Sequence, residues 1–164
     1  MVERQGLIQF FQHAHHRVEG HLLDFQESQK EGQADVGLFE VAVEELRQHM
    51  FAEEELLFPQ IRGRLAGPVA DLEQEHGHIW DLADEVEALL GQGGEAAQVG
   101  TATARLMSLL AAHCAEEDLG VYSELEATLG ADRAWDLMIE AEKAVPPVGW
   151  MCGARRAQPP GGVR

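Results

Sequence analysis

Three histidines in this chain are followed four residues later by a glutamate: His15 by Glu19, His49 by Glu53 and His113 by Glu117. On a helix that spacing stacks an imidazole and a carboxylate one turn apart on a common face, where a metal ion or a metal pair can take a donor from each. With eight histidines and 21 glutamates in 164 residues, about one such pair arises by chance, so the count alone is weak. Phase and repetition strengthen it. The run from His49 through Glu53-Glu54-Glu55-Leu56-Leu57-Phe58-Pro59 aligns without a gap on His113 through Glu117-Asp118-Leu119-Gly120-Val121-Tyr122-Ser123. An aromatic thus returns nine residues after each histidine. A lone histidine precedes each pair: His15 is followed by Val18, Leu22 and Phe25, and His76 by Ile79, Ala83 and Val86, at the same steps. The chain reads as two helical hairpins, each with one lone histidine and one His/Glu pair. Imidazole and carboxylate donors suit iron, manganese or zinc rather than soft metals. Two inward carboxylates need cations beside them, because burying them alone is costly.

The elements that must position these residues are helices. Apolar residues recur at steps of three and four in four long segments, and bounded strand-like alternation is absent, so the expected class is all-α. The expected first helix covers residues 4–28 with Ile8, Phe11, His15, Val18, Leu22 and Phe25 inward. The second covers 37–62, with Leu38, Val41, Leu46, His49, Glu53 and Leu56 on or near one face. The third covers 69–90 with Leu72, His76, Ile79, Ala83 and Val86, and the fourth 95–129 with Leu106, Leu110, His113, Glu117 and Val121. Gly120 is placed to bend or weaken the fourth helix. A short fifth helix is expected over 132–143, with Asp132 as its N-cap. Short linkers between long amphipathic helices make neighbours antiparallel, giving an up-down-up-down four-helix bundle over 1–144. A flexible Pro/Gly-rich tail is expected over 145–164. Trp135 and Trp150 are expected to help dock the fifth helix and the tail.

Charge and cysteine usage narrow the partners. Twelve Lys and Arg against 29 Asp and Glu give a net charge of −17, a field that repels phosphate backbones and anionic lipid surfaces. Nucleic acid and membranes are therefore excluded as expected partners. Residues 1–6 carry no apolar signal core and no later run approaches a membrane span, so the expected location is cytoplasmic. Cys114 and Cys152 read as free thiols rather than a disulfide framework. No nucleotide loop or DNA-binding helix pair stands beside the bundle to report a signal.

Together, Ala14-His15-His16-Arg17, the His49 to Pro59 segment with its Leu-Phe-Pro ending, Gln74-Glu75-His76 and His113 to Glu117 carry a resemblance to the hemerythrin-like, or HHE cation-binding, family across residues 5–129. The resemblance implies two iron ions, oxo- or hydroxo-bridged, with His15, His49, His76 and His113 as terminal ligands and Glu53 and Glu117 as bridges. It implies a binding protein for dioxygen or another small diatomic or peroxide ligand, used in sensing, storage or protection. A di-iron oxidase or peroxidase, or an iron donor or sensor module, is the alternative; a homodimer through helix five and the tail stays open. Animal hemerythrins are similar except that their third helix offers a second histidine a turn on, where this chain has Trp80. Water, Glu75, Tyr122 or another donor would fill that position. Glu19 leans towards supporting a ligand imidazole, whereas Glu54, Glu55, Glu116 and Asp118 read as solvated acidic faces with no role. Cys114, Phe51 and Trp80 read as packing.

Overall fold

Along four long helices the apolar stripe is interrupted by a buried histidine, and those four interruptions come to one level. The computed structural model describes residues 6–158. In chain order it has α1 (Leu7–Lys30), α2 (Val36–Ala52), a π-helical turn (Glu53–Leu57), α3 (Phe58–Ile61), α4 (Ala66–Gly91) and α5 (Ala96–Gly120). A 3-10 turn (Tyr122–Glu124), α6 (Leu125–Leu129), α7 (Ala131–Lys143) and α8 (Gly153–Arg156) follow. Among the described residues there is no strand, and no helix is long and apolar enough to cross a membrane. The expected start of the first helix at Arg4, the end of the tail beyond residue 158 and most of the N-terminal stretch lie outside the described residues.

The hairpins close through short, specific turns. After α1, Gly32 takes φ +83, a conformation open to glycine. Ser28 Oγ then accepts the Asp35 N–H at 2.9 Å, and Asp35 caps α2 by accepting the Gly37 N–H at 3.1 Å. Two apolar clusters result. One joins Val18, Leu22, Phe25, Phe39, Leu46, Ile79, Val86, Leu106 and Leu110, deep in the bundle. The other joins Leu7, Phe11, Leu57, Phe58, Leu72, Val121 and Tyr122 with Leu137 and Met138 of α7. On each long helix the buried histidine falls between residues of the two clusters. The polar layer is therefore walled by apolar side chains at both ends.

The inward residues expected on α4 and α5 are all buried, as are those on α1 except half-buried Ile8. On α2 the expected face needs correction. Phe39, Ala42, Val43 and Leu46 are buried while Val41 is 42% exposed. At about 100° per residue, Val41 sits roughly 80° round from His49 on the flank away from Leu46.

Three expected boundaries also change. The second helix is not continuous to residue 62 but passes through the π-helical turn. The fourth stops at Gly120, where Val121 takes φ −120 and ψ −56. Asp132 is not the N-cap of α7: Gly130, at φ +75, turns the chain, and Asp132 sits in the first helical turn, where its charge favours the dipole. Val145 and Val148 of the tail are exposed, but the stretch from Trp150 to Arg155 is docked. Trp150 meets Phe51 edge-on at 5.2 Å and Trp80 at 5.9 Å, and Cys152 is fully buried. Trp135 is 37% exposed, and α7 is seated by Ala134, Leu137, Met138 and Ala141.

Candidate metal centre

His15 comes from α1, His49 from α2, His76 from α4, and His113 and Glu117 from α5, while Glu53 opens the π-helical turn. The turn has a local cause. Pro59 has no N–H for the carbonyl of Glu55, and its ring would press on that carbonyl in a regular helix. Instead the Phe58 N–H reaches Glu53 O, one residue further back. The widened turn brings two successive carboxylates, Glu53 and Glu54, inside.

Glu53 and Glu117 are both 0% exposed, and the imidazole Nε2 atoms converge on them. His49 and His76 Nε2 each lie 3.3 Å from Glu53 Oε2. Glu117 spans the other way: Oε2 is 2.9 Å from His15 Nε2, and Oε1 is 3.0 Å from His113 Nε2 and 4.0 Å from His76 Nε2. His15 and His49 Nε2 are 2.8 Å apart. Two overlapping ligand sets follow, His15/His49/Glu53/Glu117 and Glu53/His76/His113/Glu117. Within each set, donor atoms lie within 4.8 Å of one another. All six sequence-predicted candidates meet at one place.

Three atoms of this cluster, Glu53 Oε2, Glu117 Oε1 and His76 Nε2, have no hydrogen-bond partner although fully buried. Such atoms are costly unless a cation completes them. The donor chemistry fits iron, manganese or zinc. The charge state of the metal-free cluster agrees. Burial works against a charged His76, yet Glu53 and Glu54 outweigh it and raise its pKa to about 10. Burial is likewise overcome at His15 by Glu117, and at His113 by Glu117, so both are raised. At His49 burial wins and its pKa is lowered. Burial pushes Glu53 up, but His49 and His76 bring it well below the usual carboxylate range. Burial and Glu53 push Glu117 up, and His113 and His15 bring it below. Protonated imidazoles thus supply the positive charge that bound cations would.

Around the cluster stand groups with clear tasks. Glu54 Oε1 is 2.8 Å from His76 Nδ1, and Glu75 Oε2 is 2.7 Å from His113 Nδ1. Acceptors on Nδ1 leave Nε2 free to face a metal. The Tyr122 hydroxyl donates to Glu53 Oε1 at 2.5 Å and lies 3.4 Å from Glu117 Oε2, and burial pushes its pKa well up, so it keeps its proton. Phe58 stacks on His76 at 5.9 Å, and Tyr122 on His15 at 5.8 Å. Each recurring aromatic therefore covers the lone histidine of the opposite hairpin.

Glu54 was expected to be solvated and is buried; Glu55, Glu116 and Asp118 are exposed, as expected. Glu75 and Tyr122, considered as donors in place of the missing histidine, are engaged with His113 and Glu53. His13, His16 and His78 are exposed, and His21 is half-buried, 3.7 Å from Glu45. Glu19 and half-buried Cys114 lie on a cleft beside His15, and burial followed by Glu117 pushes the thiol pKa up. His15→Ala is expected to lower metal content sharply and His16→Ala to leave it unchanged, measured by elemental analysis of the purified variants. The reverse order would place the α1 ligand one residue on.

Searches of curated proteins and of solved structures find no match. The family described as Hemerythrin HHE cation binding domain matches residues 6–125. That span holds all four buried histidines and both shared carboxylates. A bundle that gathers metal donors from all four long helices, within a match covering most of its length, belongs to the hemerythrin HHE cation-binding family.

Proposed function

We propose that the chain holds two iron ions, one with His15 and His49 and the other with His76 and His113, both sharing Glu53 and Glu117. It binds dioxygen or a related small oxidant, nitric oxide or peroxide, for sensing, storage or protection. The observation that carries this reading is the pair of ligand sets sharing both carboxylates, with atoms of both carboxylates and of His76 that make no hydrogen bond in their midst. When bound, such a pair supplies the electrons and the open coordination positions that hold a small oxidant.

The chain's own residues set the conditions. Tyr122 Oη holds a proton within hydrogen-bond reach of both shared carboxylates. Phe11, Phe58 and Tyr122 are buried against the ligand rings and exclude water from that side. A cleft of about 260 Å³ between α1 and α5 opens beside His15, with Leu22, Met107 and Leu110 as walls and Glu19 and Asp118 among its polar groups. That lining suits a small uncharged molecule.

A second reading, an oxidase or peroxidase, is favoured by Trp80 one turn after His76: with no fifth histidine, each set has two imidazoles. Metal analysis with visible spectra tests both. About two irons per chain, with bands that bleach on anaerobic reduction and return with oxygen, are expected. Zinc alone, with no oxygen-dependent band after iron reconstitution, would overturn the proposal. Sustained turnover of hydrogen peroxide would favour the enzyme reading.

A further inference from the structure

Beyond the matched residues 6–125 a second stretch besides α7 comes back onto the surroundings of the candidate metal centre. The stretch 150–156 lies on α4 and on the π-helical turn. The Trp150 indole N–H donates to Glu55 at 2.9 Å, and Arg156 reaches the same carboxylate at 3.0 Å. Arg155 pairs with Asp81 and, at 3.0 Å, with Asp84 on α4. The fit of α8 depends on a glycine: a Cβ on Gly77 would lie 2.7 Å from Ala154 Cβ.

What this stretch reaches is Glu54. The Gly153 N–H donates to Glu54 Oε2 at 2.7 Å, and the Arg156 guanidinium stands 3.7 Å from the same oxygen. Oε1 faces His76 Nδ1. A carboxylate this buried needs such partners, and two of the three come from the C-terminal stretch. The Nδ1–H of His76 given to Oε1 leaves Nε2 as the nitrogen aimed at the shared carboxylates, where it exchanges its proton for a metal in the orientation a ligand imidazole requires. His113 takes its acceptor, Glu75, from α4 instead.

We infer that residues 150–156 are a working part of the metal centre: by binding Glu54 they hold its carboxylate on His76 Nδ1, and so set the tautomer and aim of the imidazole for the ion held by His76 and His113. Glu54 is a positioning residue that acts through His76. The inference rests on the metal-binding reading above.

The full chain, titrated with Co2+ against a competing chelator and followed by its visible ligand-field bands, tests this. Gly153→Pro deletes the one N–H. It is the first residue of α8, where proline is accommodated, and Cys152 at φ −59, ψ 155 already has the conformation that precedes proline. Gly153→Ala keeps the N–H, and its Cβ would stand an ordinary 3.4 Å from Glu54 Oε2. The proline variant is expected to weaken one of two Co2+ sites about 10- to 100-fold and shift its bands, with the other site within about two-fold of wild type. The alanine variant should match wild type. Gly77→Ala should reproduce the one-site loss by lifting α8, and adding Ala154→Gly should relieve it.

Wild-type affinities and bands at both sites in Gly153→Pro and Gly77→Ala would overturn the inference. Equal loss at both sites would mark a general loosening of the fold and overturn it too. A wild-type chain that takes up no Co2+ would instead overturn the metal reading, and this inference with it.

Discussion

Glu117→Ala is expected to reduce the metal content of the purified protein from about two ions per chain to one or fewer, and to abolish magnetic coupling between ions. The two oxygens of Glu117 serve different sets: Oε2 lies 2.9 Å from His15 Nε2, Oε1 3.0 Å from His113 Nε2. Removing it takes one donor from each. Glu53→Ala should behave alike, because Glu53 Oε2 is 3.3 Å from both His49 and His76 Nε2. Glu54→Ala removes no donor from either set; it should weaken the ion held by His76 and His113 about 10- to 100-fold, yet leave the ions paired once both sites are filled. The metal-free fold should suffer as well. Loss of one partner from a buried ion pair costs about 3–5 kcal/mol, readable in urea unfolding. Glu117→Gln separates the effects, keeping the volume while losing the charge. Elemental analysis with electron paramagnetic resonance gives the answer, and two coupled irons retained in both alanine variants would sink the assignment of the shared carboxylates.

How far local pattern reaches is clear from particular residues. His15, His49, His76, His113, Glu53 and Glu117 were legible because each repeats the three-and-four stepping of its own helix, and that stepping survives folding. Glu54 was not. Neighbouring residues on a regular helix point about 100° apart, so a second inward carboxylate beside Glu53 is unexpected until Pro59 is seen to open the turn. Val41 misled because α2 carries apolar residues on more than one flank. Residues 150–158 read as part of a loose tail because glycine and proline are frequent on either side of them, whereas their docking is decided by Phe51, Gly77, Trp80 and Asp81, some seventy or more positions away in sequence.

The internal repeat predicts a symmetric centre, and the structure follows it up to a point. Phe58 on His76 and Tyr122 on His15 are matching contacts made across the hairpins. The halves differ in what lies behind them. Tyr122 carries a hydroxyl to Glu53 where Phe58 carries none. The Nδ1 of His76 rests on a carboxylate held by α8, that of His113 on half-buried Glu75. Equal ligand sets thus meet unequal surroundings, which is how a protein makes two ions of one kind differ in affinity and potential.

Metal loading at neutral pH is expected to release at least about one proton per chain, because metal and proton compete for the same imidazole lone pairs. His76, raised to about 10, brings one proton to be displaced, and His15 and His113 are raised above the ordinary histidine value of 6.5 as well, while His49 is lowered. The sign of the pH effect on the metal-free fold follows. A raised histidine adds stability that is fully present below 6.5 and is lost as pH climbs, through about 10 for His76. The lowered Glu53 and Glu117 add stability present above 4.5 and lost as pH falls through their depressed values. The lowered His49 takes stability away as pH falls below 6.5, so the cluster supports the metal-free fold most near 6.5. From there to about pH 10 the metal-free melting temperature should fall while the loaded one holds, since the ions have replaced those protons. Calorimetric titration in buffers of different ionisation heat counts the protons directly. Release of fewer than about one would mean that neutral imidazoles already face the carboxylates, and that the metal-free cluster is held together without the charge assigned to it.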